Sequence, residues 1–486
     1  MKGLAVGSVL LFIGTCIIPA TVQNIKKPSY PTLRGIWLYV GGSGPGNYTK
    51  IQDAIDDVSD GDNIFVFNGT YYENIFINKE IRLLGADKNN TIIDGSSNNE
   101  SIIIIQANNV YIGNFTIRNS SSFYRGIFFQ QNYDGSSIID NIIKNIRGAL
   151  VLSNSRHLNI SRNIIINNYI NPAVDLINSS DNIISRNIVL HTSEYSSDSI
   201  SLIANSNNNT IIGNTIDSGD FGIDIAFSSN YNKIYKNSIR KCHYGIDLSG
   251  AYYNEISSNT ITENDLGIFL VWYTDHNTIN NNTILNNING IRAETTSNSS
   301  NNTIYHNNFL NNTLQAYVSN SCSNKWDNGY PSCGNYWDDY SGVDNFSGPN
   351  QNLSDCDGIG DTPYLIPSGD NKDTYPLMEP YGMTALSFEF RSGFFKNSGS
   401  IKNIGNATAF YVHWSIIVDG RMVFIGRESS GTLAKPLLPG EEAYTSSKFI
   451  VGFGSIILTV AVWADNAPYL SVSKPGKLLL FFIKIF

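Results

Sequence analysis

One set of residues in the sequence has the types and the spacing for acid–base chemistry. Between residues 126 and 292, a small residue recurs that is followed two places later by a residue with aliphatic neighbours. The small residues are Gly126, Gly148, Ala173, Ser199, Gly222, Gly245, Gly267 and Gly290. The residues two places later are Phe128, Leu150, Asp175, Ser201, Asp224, Asp247, Phe269 and Arg292. Because strand side chains alternate between the two faces of a sheet, the second set is expected to share an outer face.

The three aspartates of this set suit the chemistry of polysaccharides. If each repeat is one coil of stacked strands, Asp224 and Asp247 lie about 5 Å apart and Asp175 lies about 10 Å from Asp224. These separations bracket those of glycosidase carboxyl pairs, and like charges so close raise one pKa. A solvated acidic stripe is the alternative. The aspartates are expected to face solvent, because a one-residue slip in register would bury their charges at a high free-energy cost.

Aromatic and cationic residues border the aspartates in this pattern. Phe128 and Phe269 are candidate stacking platforms for sugar rings, and Arg292 is a candidate partner of an acidic sugar. Trp272 and Tyr273 lie beside the repeats and complete the candidate ligand-binding set. Packing of these rings under loops is the alternative that the sequence leaves open.

A recurring asparagine indicates which elements hold these residues. It recurs every 22 to 27 residues, at Asn141, Asn163, Asn187, Asn214, Asn237, Asn259, Asn282 and Asn307, and Asn114 resembles an earlier, looser copy. Each unit has the alternating pattern of short strands and no helix-length apolar pattern. Such units bury their apolar faces only by stacking, which predicts a right-handed parallel β-helix of about nine coils over residues 101–320. The asparagines are expected to form an internal ladder.

The segments around the repeats are predicted to be a cap, a loop region and a second domain. Residues 36–100 contain apolar residues at helical spacing from 51 to 58, which predicts a short helix that closes the N-terminal end of the solenoid. Residues 321–382 are predicted to form a C-terminal capping loop region. Residues 384–486 show alternating strands between Gly, Asn and Pro turns, which predicts an all-β, immunoglobulin-like sandwich with the apolar segment 477–486 as its last strand.

The capping loop region carries a candidate metal site and a candidate disulfide. Asp355, Asp357 and Asp361 form D-x-D-G-x-G-D, which combines hard oxygen ligands suited to Ca²⁺ with glycines that permit a tight loop. A Gly/Asp turn packed by aromatic residues is the alternative. Cys322 and Cys333 lie eleven residues apart and are a candidate bridge, with unpaired thiols as the alternative.

Composition predicts an exported protein that does not bind nucleic acid. Only 15% of the 486 residues are charged, and a net charge of −9 gives no basic surface for phosphates. Residues 1–23 place an apolar stretch after Lys2 that is too short to cross a bilayer, which predicts a cleaved signal peptide, with a retained anchor as the alternative. A secreted or cell-surface location with no membrane span after signal removal is therefore expected.

From about residue 40 to 382 the chain resembles the NosD-like, pectin-lyase-fold β-helix proteins, especially surface proteins of methanogenic and related archaea. The resemblance lies in GGSGPGNYTKIQDAI, the asparagine repeats, and the closing GNYWDDYSG, DGIGDTPY and DTYPLMEPY. It implies carbohydrate binding or polysaccharide cleavage, since both occur in this fold group. Copper handling is not expected, because the 4 Met and 6 His form no cluster of soft ligands. Residues 384–486 resemble, more weakly, a CARDB-like sandwich.

Three functions are compatible with these features. The first is a non-catalytic surface protein that binds a glycan or an envelope component through one face of the solenoid. The second is a polysaccharide hydrolase or lyase that uses the acidic set, and the third is a structural surface-layer or adhesion protein. The first is favoured by the predicted signal peptide, the linear repeat, the polar uncharged surface and the aromatic residues beside the repeats. No catalytic signature of a known lyase or galacturonase is evident to support the second. Apart from Ca²⁺, no cofactor is expected.

Overall fold

The chain forms two units, which divide at residue 378. The computed structural model describes residues 35–485 except 97–99, 121–123, 167–170, 192–196, 295–298, 320, 369, 383–385, 392, 395–397, 406–408, 410–411, 421, 439, 465–466 and 481. The predicted signal peptide at residues 1–23 lies outside the described residues.

The first unit is a parallel β-helix in which each coil contributes one strand to each of three rows. Row one is a sheet of twelve parallel strands. Its strands are Trp37–Val40, Asn63–Val66, Arg82–Gly85, Tyr111–Gly113, Ser137–Ile139, Asn159–Ser161, Ile183–Ser185, Thr210–Ile212, Lys233–Tyr235, Glu255–Ser257, Thr278–Asn280 and Thr303–Tyr305. Nine of these strands lie between residues 100 and 320, which confirms the predicted number of coils.

Rows two and three belong to one sheet, because two strands, Thr215–Ala226 and Ser238–Ser249, run through both rows without a break. The other strands of row two are Gly69–Tyr71, Thr91–Asp94, Thr116–Arg118, Ile142–Lys144, Ile164–Ile166, Ile188–Leu190, Thr260–Thr262, Thr283–Leu285, Asn308–Leu310 and Tyr336–Trp337. The other strands of row three are Ile75–Ile77, Ile103–Ile105, Ile127–Phe129, Leu150–Ser153, Val174–Ile177, Ile200–Ile203, Leu266–Val271, Asn289–Ala293 and Leu314–Val318.

The core of the solenoid consists of stacked aliphatic side chains from all three rows. In row one, Ile184, Ile211 and Ile234 are fully buried and stand in register on successive coils. Complete burial of one such side chain stabilises the fold by about 1.5–3 kcal/mol. The continuous column is therefore the main reason why the repeats stack.

The predicted asparagine ladder forms at the corner between rows one and two. In each step the backbone N–H and the side-chain amide of one asparagine donate to Oδ1 of the asparagine on the next coil. Asn187 does so to Asn214 at 2.9 and 3.0 Å, and Asn214 Nδ2 also donates to the Ile184 carbonyl at 2.9 Å. Asn114 does not belong to the ladder, because the N–H of Phe115 makes the first bond, to Asn141.

The ladder ends on a buried carboxylate in the capping region. Asn307 donates to Asn335, and the Asn335 N–H donates to Asp373 Oδ2 at 2.7 Å. Asp373 is fully buried and also accepts a hydrogen bond from the indole of Trp337 at 2.9 Å. A side chain that only accepts is suited to this place, because the ladder reaches it with N–H groups.

A second asparagine ladder, which the sequence analysis missed, lies at the corner before row one. It begins at Asn182, whose N–H donates to Asn209 Oδ1 at 2.9 Å, and ends at Asn371. Its other members are Asn232, Asn254, Asn277, Asn302 and Asn324. From Asn182 onward the coils are therefore held at two corners by the same amide geometry.

One helix, Ile51–Asp57, contacts the first coils and confirms the predicted N-terminal cap. The Glu73 carboxylate accepts hydrogen bonds from the first N–H groups of the helix, and Lys79 Nζ donates to its last carbonyls. Ile51 and Ile55 are fully buried against the solenoid core. Both helix ends are thus satisfied by side chains from the β-helix.

The capping region after row three forms two short antiparallel pairs. One joins Phe346–Ser347 to Leu353–Ser354, and the other joins Tyr364–Leu365 to Lys372–Asp373. Trp337 closes the solenoid core between the rings of Phe309 and Tyr364, with ring centroids 4.1 and 4.2 Å away.

The second unit contains two antiparallel sheets around one hydrophobic core, as predicted for a sandwich. The smaller sheet has the strands Leu386–Arg391, Ser398–Asn403 and Glu442–Ser446. The larger sheet has the strands Gly393–Phe394, His413–Asp419, Met422–Ile425, Glu428–Thr432, Val451–Ala464, Ala467–Leu480 and Phe482–Ile485. Leu478 and Ile483 are fully buried, so the apolar C-terminal segment belongs to the core. In the described part of the chain, no helix combines the length and the apolar character needed to cross a membrane.

Candidate functional site

A stack of glycines sets the corner between rows two and three. A Cβ atom added to Gly222, Gly245, Gly267 or Gly290 would lie 2.3 to 2.5 Å from a carbonyl oxygen of the next coil. Glycine occupies these positions because neighbouring coils approach closely here and leave no room for a side chain. The corner fixes the register of row three, which begins directly after it.

Row three carries the aspartates in one outward-facing column. Asp175 is in register with Ser201, Ser201 with Asp224, and Asp224 with Asp247. These four residues are called the acidic column below. Phe269 and Arg292 continue it on the next two coils, and Phe128 lies two coils before Asp175.

The predicted position of Leu150 in this column is wrong. Phe128 is in register with Val151, and Leu150 is in register with the buried Ile127. Leu150 is fully buried in the core. Ala149, and not Gly148, is in line with Ala173 of the next coil, so the outward position of this coil is Val151 and Leu150 falls on the inner face.

The expectation that the aspartates face solvent is wrong for Asp175 and Asp247, whereas Asp224 is half-buried. Asp175 is 9% exposed and Asp247 is 4% exposed, although both side chains leave the outer face of row three. Oδ1 of Asp175 is buried and has no hydrogen-bond partner among the described residues.

Asp198 is a fourth carboxylate of the site that the sequence analysis missed. It lies in the corner loop before Ile200–Ile203 and interacts electrostatically with Asp175, Asp224 and Asp247. The coil that carries it is the longest of the repeat, with 27 residues between Asn187 and Asn214. That insertion was the available signal, since extra residues in a solenoid coil form loops on one face.

Burial raises the pKa of all four carboxyl groups, and repulsion from neighbouring carboxylates adds to this effect at Asp198, Asp224 and Asp247. Burial raises the pKa of Asp175 to about 6, although the positive charge of Arg125 acts to lower it. Burial, with repulsion from Asp220 and Asp175, raises the pKa of Asp198 to about 6. Such groups change their protonation state close to neutral pH, as catalytic and ligand-binding carboxylates do.

Asp224 and Asp247 form a tightly coupled pair on adjacent coils. Burial and the charge of Asp198 raise the pKa of Asp224 to about 7, although Ser201 Oγ donates to its Oδ2 at 3.3 Å. Burial and the charge of Asp224 raise the pKa of Asp247 well above the usual range. At neutral pH the pair therefore retains a proton and presents an acid beside a carboxylate.

A stack of aromatic rings lies beside the acidic column. Phe221 stacks on Tyr244 at 4.6 Å between ring centroids, and Tyr244 stacks on Phe269 at 5.4 Å. A cleft of about 390 Å³ opens at Tyr244, Phe269 and Arg292. Arg292 forms an ion pair with Glu294 and lies over the Tyr317 ring, so its charge is already partly balanced.

The other predicted ligand-binding residues lie apart from the buried carboxylates. Phe128 is half-buried two coils before Asp175 on the same face. Trp272 and Tyr273 are 58% and 60% exposed at the next corner, which follows row three. The structure thus brings Phe269 and Arg292 to the cleft, whereas Trp272 and Tyr273 are not among the residues that line it.

The three aspartates proposed for Ca²⁺ each bind backbone N–H groups of the capping loop. Asp361 accepts hydrogen bonds from Asn345 and Phe346, at 3.0 to 3.2 Å. Asp357 accepts from Gly348 and Ile359, and Asp355 accepts from the N–H that follows it. Calcium binding at this loop stays a prediction.

The predicted Cys322–Cys333 bridge is not formed. Cys322 is buried, with Sγ 3.5 Å from the Glu294 carbonyl of the preceding coil. Cys333 lies in a turn of the capping region with φ of 74°, and its Sγ faces the Pro331 carbonyl at 3.1 Å. The two thiols belong to different layers, one in the solenoid core and one in the cap.

The model of one protein family matches the solenoid. The family is described as "Periplasmic copper-binding protein (NosD)", and the match covers residues 55–242 and 237–342. A cell surface glycoprotein of Methanothermus fervidus is 42% identical over 100 residues, which is 20% of this chain. The aligned part spans 16% of that relative's length.

Solved structures with a similar fold share little sequence with the chain. The A-module of the Azotobacter vinelandii mannuronan C-5 epimerase AlgE6 has a TM-score of 0.46 at 15% identity, over 56% of this chain and 91% of that one. The DFA-IIIase of Arthrobacter chlorophenolicus has a TM-score of 0.45 at 12% identity, over 65% and 96%. At these values the similarities say nothing about activity.

The residues of the chain do not fit the copper that the family description names. Both ring nitrogens of His191 lie within hydrogen-bond distance of serines, Ser199 at 3.1 Å and Ser197 at 3.3 Å. Burial raises the pKa of the Cys242 thiol, which opposes the thiolate form that binds metals. Among the described residues, no three His, Cys, Asp or Glu side chains converge as a metal site.

Proposed function

The chain belongs to the NosD family of β-helix proteins, and on this premise we propose that it is a secreted or cell-surface protein that binds a glycan on the outer face of row three. One observation carries the proposal. The aspartates of the acidic column and Asp198 form a group of buried and half-buried carboxyl groups, and the stacked rings of Tyr244 and Phe269 beside them form part of the wall of a cleft.

This combination suits sugars for two reasons. Carboxylate oxygens accept hydrogen bonds from hydroxyl groups, and these bonds are stronger than those to neutral acceptors. Aromatic rings such as Phe269 offer apolar surface to the C–H face of a sugar ring. The repeat of the solenoid presents such groups along a line, which suits an extended polymer.

A surface location is supported by the relative named a cell surface glycoprotein. The apolar segment at residues 1–23 supports export in the same way. Both features agree with a polymer ligand outside the cell.

A glycan array probed with the full chain tests the proposal. The parent should retain one class of glycan, and Asp175→Asn and Asp247→Asn should each weaken that binding at least tenfold. The matched control is Asp181→Asn, in the same coil as Asp175 but at the next corner, where the following coil carries Asn208. An array without any bound glycan, or variants that bind like the parent, would remove the proposal.

Polysaccharide cleavage is a second candidate, favoured by the proton that Asp224 and Asp247 share. An acid and a carboxylate on adjacent coils are the two groups that glycoside hydrolysis needs. Release of reducing ends by the parent, and its loss by orders of magnitude in Asp224→Asn and Asp247→Asn, would establish it. Binding without release of reducing ends leaves the first function and rejects the second.

A further inference from the structure

The outer face of the larger sheet in the second unit carries a row of exposed apolar side chains. Phe453 is in register with Met422 on one side and with Leu479 on the other. Residues paired directly across antiparallel strands lie on the same face, about 4.5–5.5 Å apart at Cβ, so the three side chains are neighbours. All three are exposed, whereas the adjoining Val423 and Leu478 are buried in the core of the sandwich. The row therefore faces away from that core.

Further exposed apolar side chains continue this row to the end of the sheet. Phe424 stands two residues after Met422 on the same strand and is 66% exposed. Ile425 precedes a turn at Gly426, where an added Cβ atom would lie 2.2 Å from the Phe449 carbonyl oxygen. Ile425 and Phe449 are exposed as well. Contiguous apolar surface of this kind marks a site of interaction.

Two lysines border the apolar row. Lys477 lies two residues before Leu479, on the same face of the same strand, and Lys484 is in register with Lys477. Both side chains are exposed. Like charges that are directly opposite each other do not stabilise a sheet. A positive pair beside apolar side chains favours a partner that is both negative and apolar.

The acidic side chains of the same sheet lie further along its strands. Among the described residues of these strands they are Asp419 and Glu428. Asp419 is opposite Ile457, which is four residues from Phe453 and therefore about 13 Å from it along the strand. Glu428 is opposite Ile417, which lies two residues before Asp419 on its strand. The apolar row is thus bordered by positive charge, in a chain whose net charge is −9.

This combination fits the surface of an anionic membrane. Lysine ammonium groups are attracted to the phosphates of such a surface, and apolar side chains enter the boundary between headgroups and acyl chains. A second copy of the chain fits less well. A two-fold interface would place the same patch on both sides and bring the lysine pairs of the two copies together.

We propose that the second unit binds peripherally to an anionic lipid surface through this face. Met422, Phe453 and Leu479 enter the headgroup region, and Lys477 and Lys484 contact lipid phosphates. The inference goes beyond the proposed glycan binding and does not depend on it, because the two sites lie in different units. The function that it adds is attachment to a membrane surface.

Co-sedimentation with sucrose-loaded vesicles tests the proposal. The full chain without the predicted signal peptide is mixed, in about 0.1 M salt, with vesicles of equal parts phosphatidylglycerol and phosphatidylcholine or of phosphatidylcholine alone. The parent should bind the anionic vesicles at least tenfold more strongly, and about 0.5 M salt should remove most of this binding. Phe453→Thr, and Lys477→Gln with Lys484→Gln, should each weaken it at least fivefold. The matched control Tyr444→Thr removes an exposed ring from the smaller sheet and should bind like the parent.

The lysine variant guards against loss of the fold, because it removes a like-charge pair and keeps the apolar row. Its far-ultraviolet circular dichroism should match that of the parent, and glycan binding should be unchanged in every variant. A parent that binds neither vesicle, or both alike, would overturn the proposal, and so would variants that bind as tightly as the parent. A dimer in analytical ultracentrifugation that dissociates in Phe453→Thr, without vesicle binding, would assign the face to a second copy instead.

Discussion

The asparagine ladder and the acidic column are two stacks of polar side chains in the same coils, and they differ in how their atoms are satisfied. Asn214 accepts two hydrogen bonds through Oδ1 and donates two through Nδ2. Asp175 is nearly as buried and leaves Oδ1 without a partner in the described residues. Among the described residues the amide stack is therefore satisfied, whereas the carboxyl stack leaves a buried acceptor without a partner.

The two stacks also differ in role, because the ladder stabilises the solenoid and the acidic column is the proposed site for a ligand. A fully satisfied network in a low-dielectric interior holds the coils together. A column of buried carboxyl groups with raised pKa values destabilises the fold whenever the groups ionise. Residues that weaken the structure in this way are characteristic of sites for ligands or catalysis.

Breaking the ladder should have the largest effect on stability. Asn214→Ala removes an acceptor from Asn187 and a donor from Asn237, which leaves buried polar atoms unpaired. A loss of about 3–5 kcal/mol in the free energy of unfolding is expected in urea denaturation. Thr215→Ala changes the exposed neighbour on the same strand and should cost about 0.5 kcal/mol. Equal effects of the two changes would contradict the structural role of the ladder.

The acidic column should give stability a pH dependence of the opposite kind to that of salt-bridged acids. The folded-state pKa of Asp175 is raised from 3.8 to about 6. The contribution of this side chain to the free energy of unfolding is therefore fully present below about pH 4 and is lost as the pH rises through 6. The expected loss is about 3 kcal/mol. Unfolding curves at several pH values should show this loss in the parent and not in Asp175→Asn. A parent and variant with parallel profiles would show that Asp175 is not desolvated.

The aromatic wall should affect binding more than folding. Phe269→Ala removes a ring that is in register with Asp247, and about tenfold weaker glycan binding is expected. Trp272→Ala removes a ring at the exposed corner and should weaken binding less. Calorimetric titration of both variants distinguishes the two surfaces. A larger effect at Trp272 would move the binding site from row three to the corner.

The smallest effect is expected from calcium at Asp355, Asp357 and Asp361. If the loop binds Ca²⁺, excess calcium raises the melting temperature by mass action. The increase should be a few degrees at most, since some oxygens of these carboxylates already accept hydrogen bonds from backbone N–H groups. Asp361→Asn should abolish the increase. Identical melting curves in calcium and in chelator would remove this site.

The periodic features were predictable from the sequence, because each coil forms the same backbone hydrogen bonds and needs the same residue type at the same place. Asn187 and Asn214 accept the N–H of the preceding coil, so the same residue type recurs at the same place. The row of Ile216 and Ile239 follows from the same repeat. Two residues after each ladder asparagine, the core must be filled by an apolar side chain.

The features that break the period were not predictable in this way. Asp198 lies in an insertion, and the register of Val151 follows from pairing with Phe128, not from its distance to Gly148. The burial of Asp175 and Asp247 does not follow from their place in the repeat. The sequence thus identifies which carboxyl groups leave the outer face, and only the folded chain shows which of them are desolvated.

One double variant tests the central claim most directly. Asp224→Asn with Asp247→Asn keeps the shape of the column and removes its charge. At pH 7.5 the account predicts a chain more stable to urea than the parent by about 2 kcal/mol, because two desolvated acids are gone, with glycan binding at least tenfold weaker. A chain less stable than the parent that binds the glycan equally well would show that these carboxyl groups serve the fold and not the ligand.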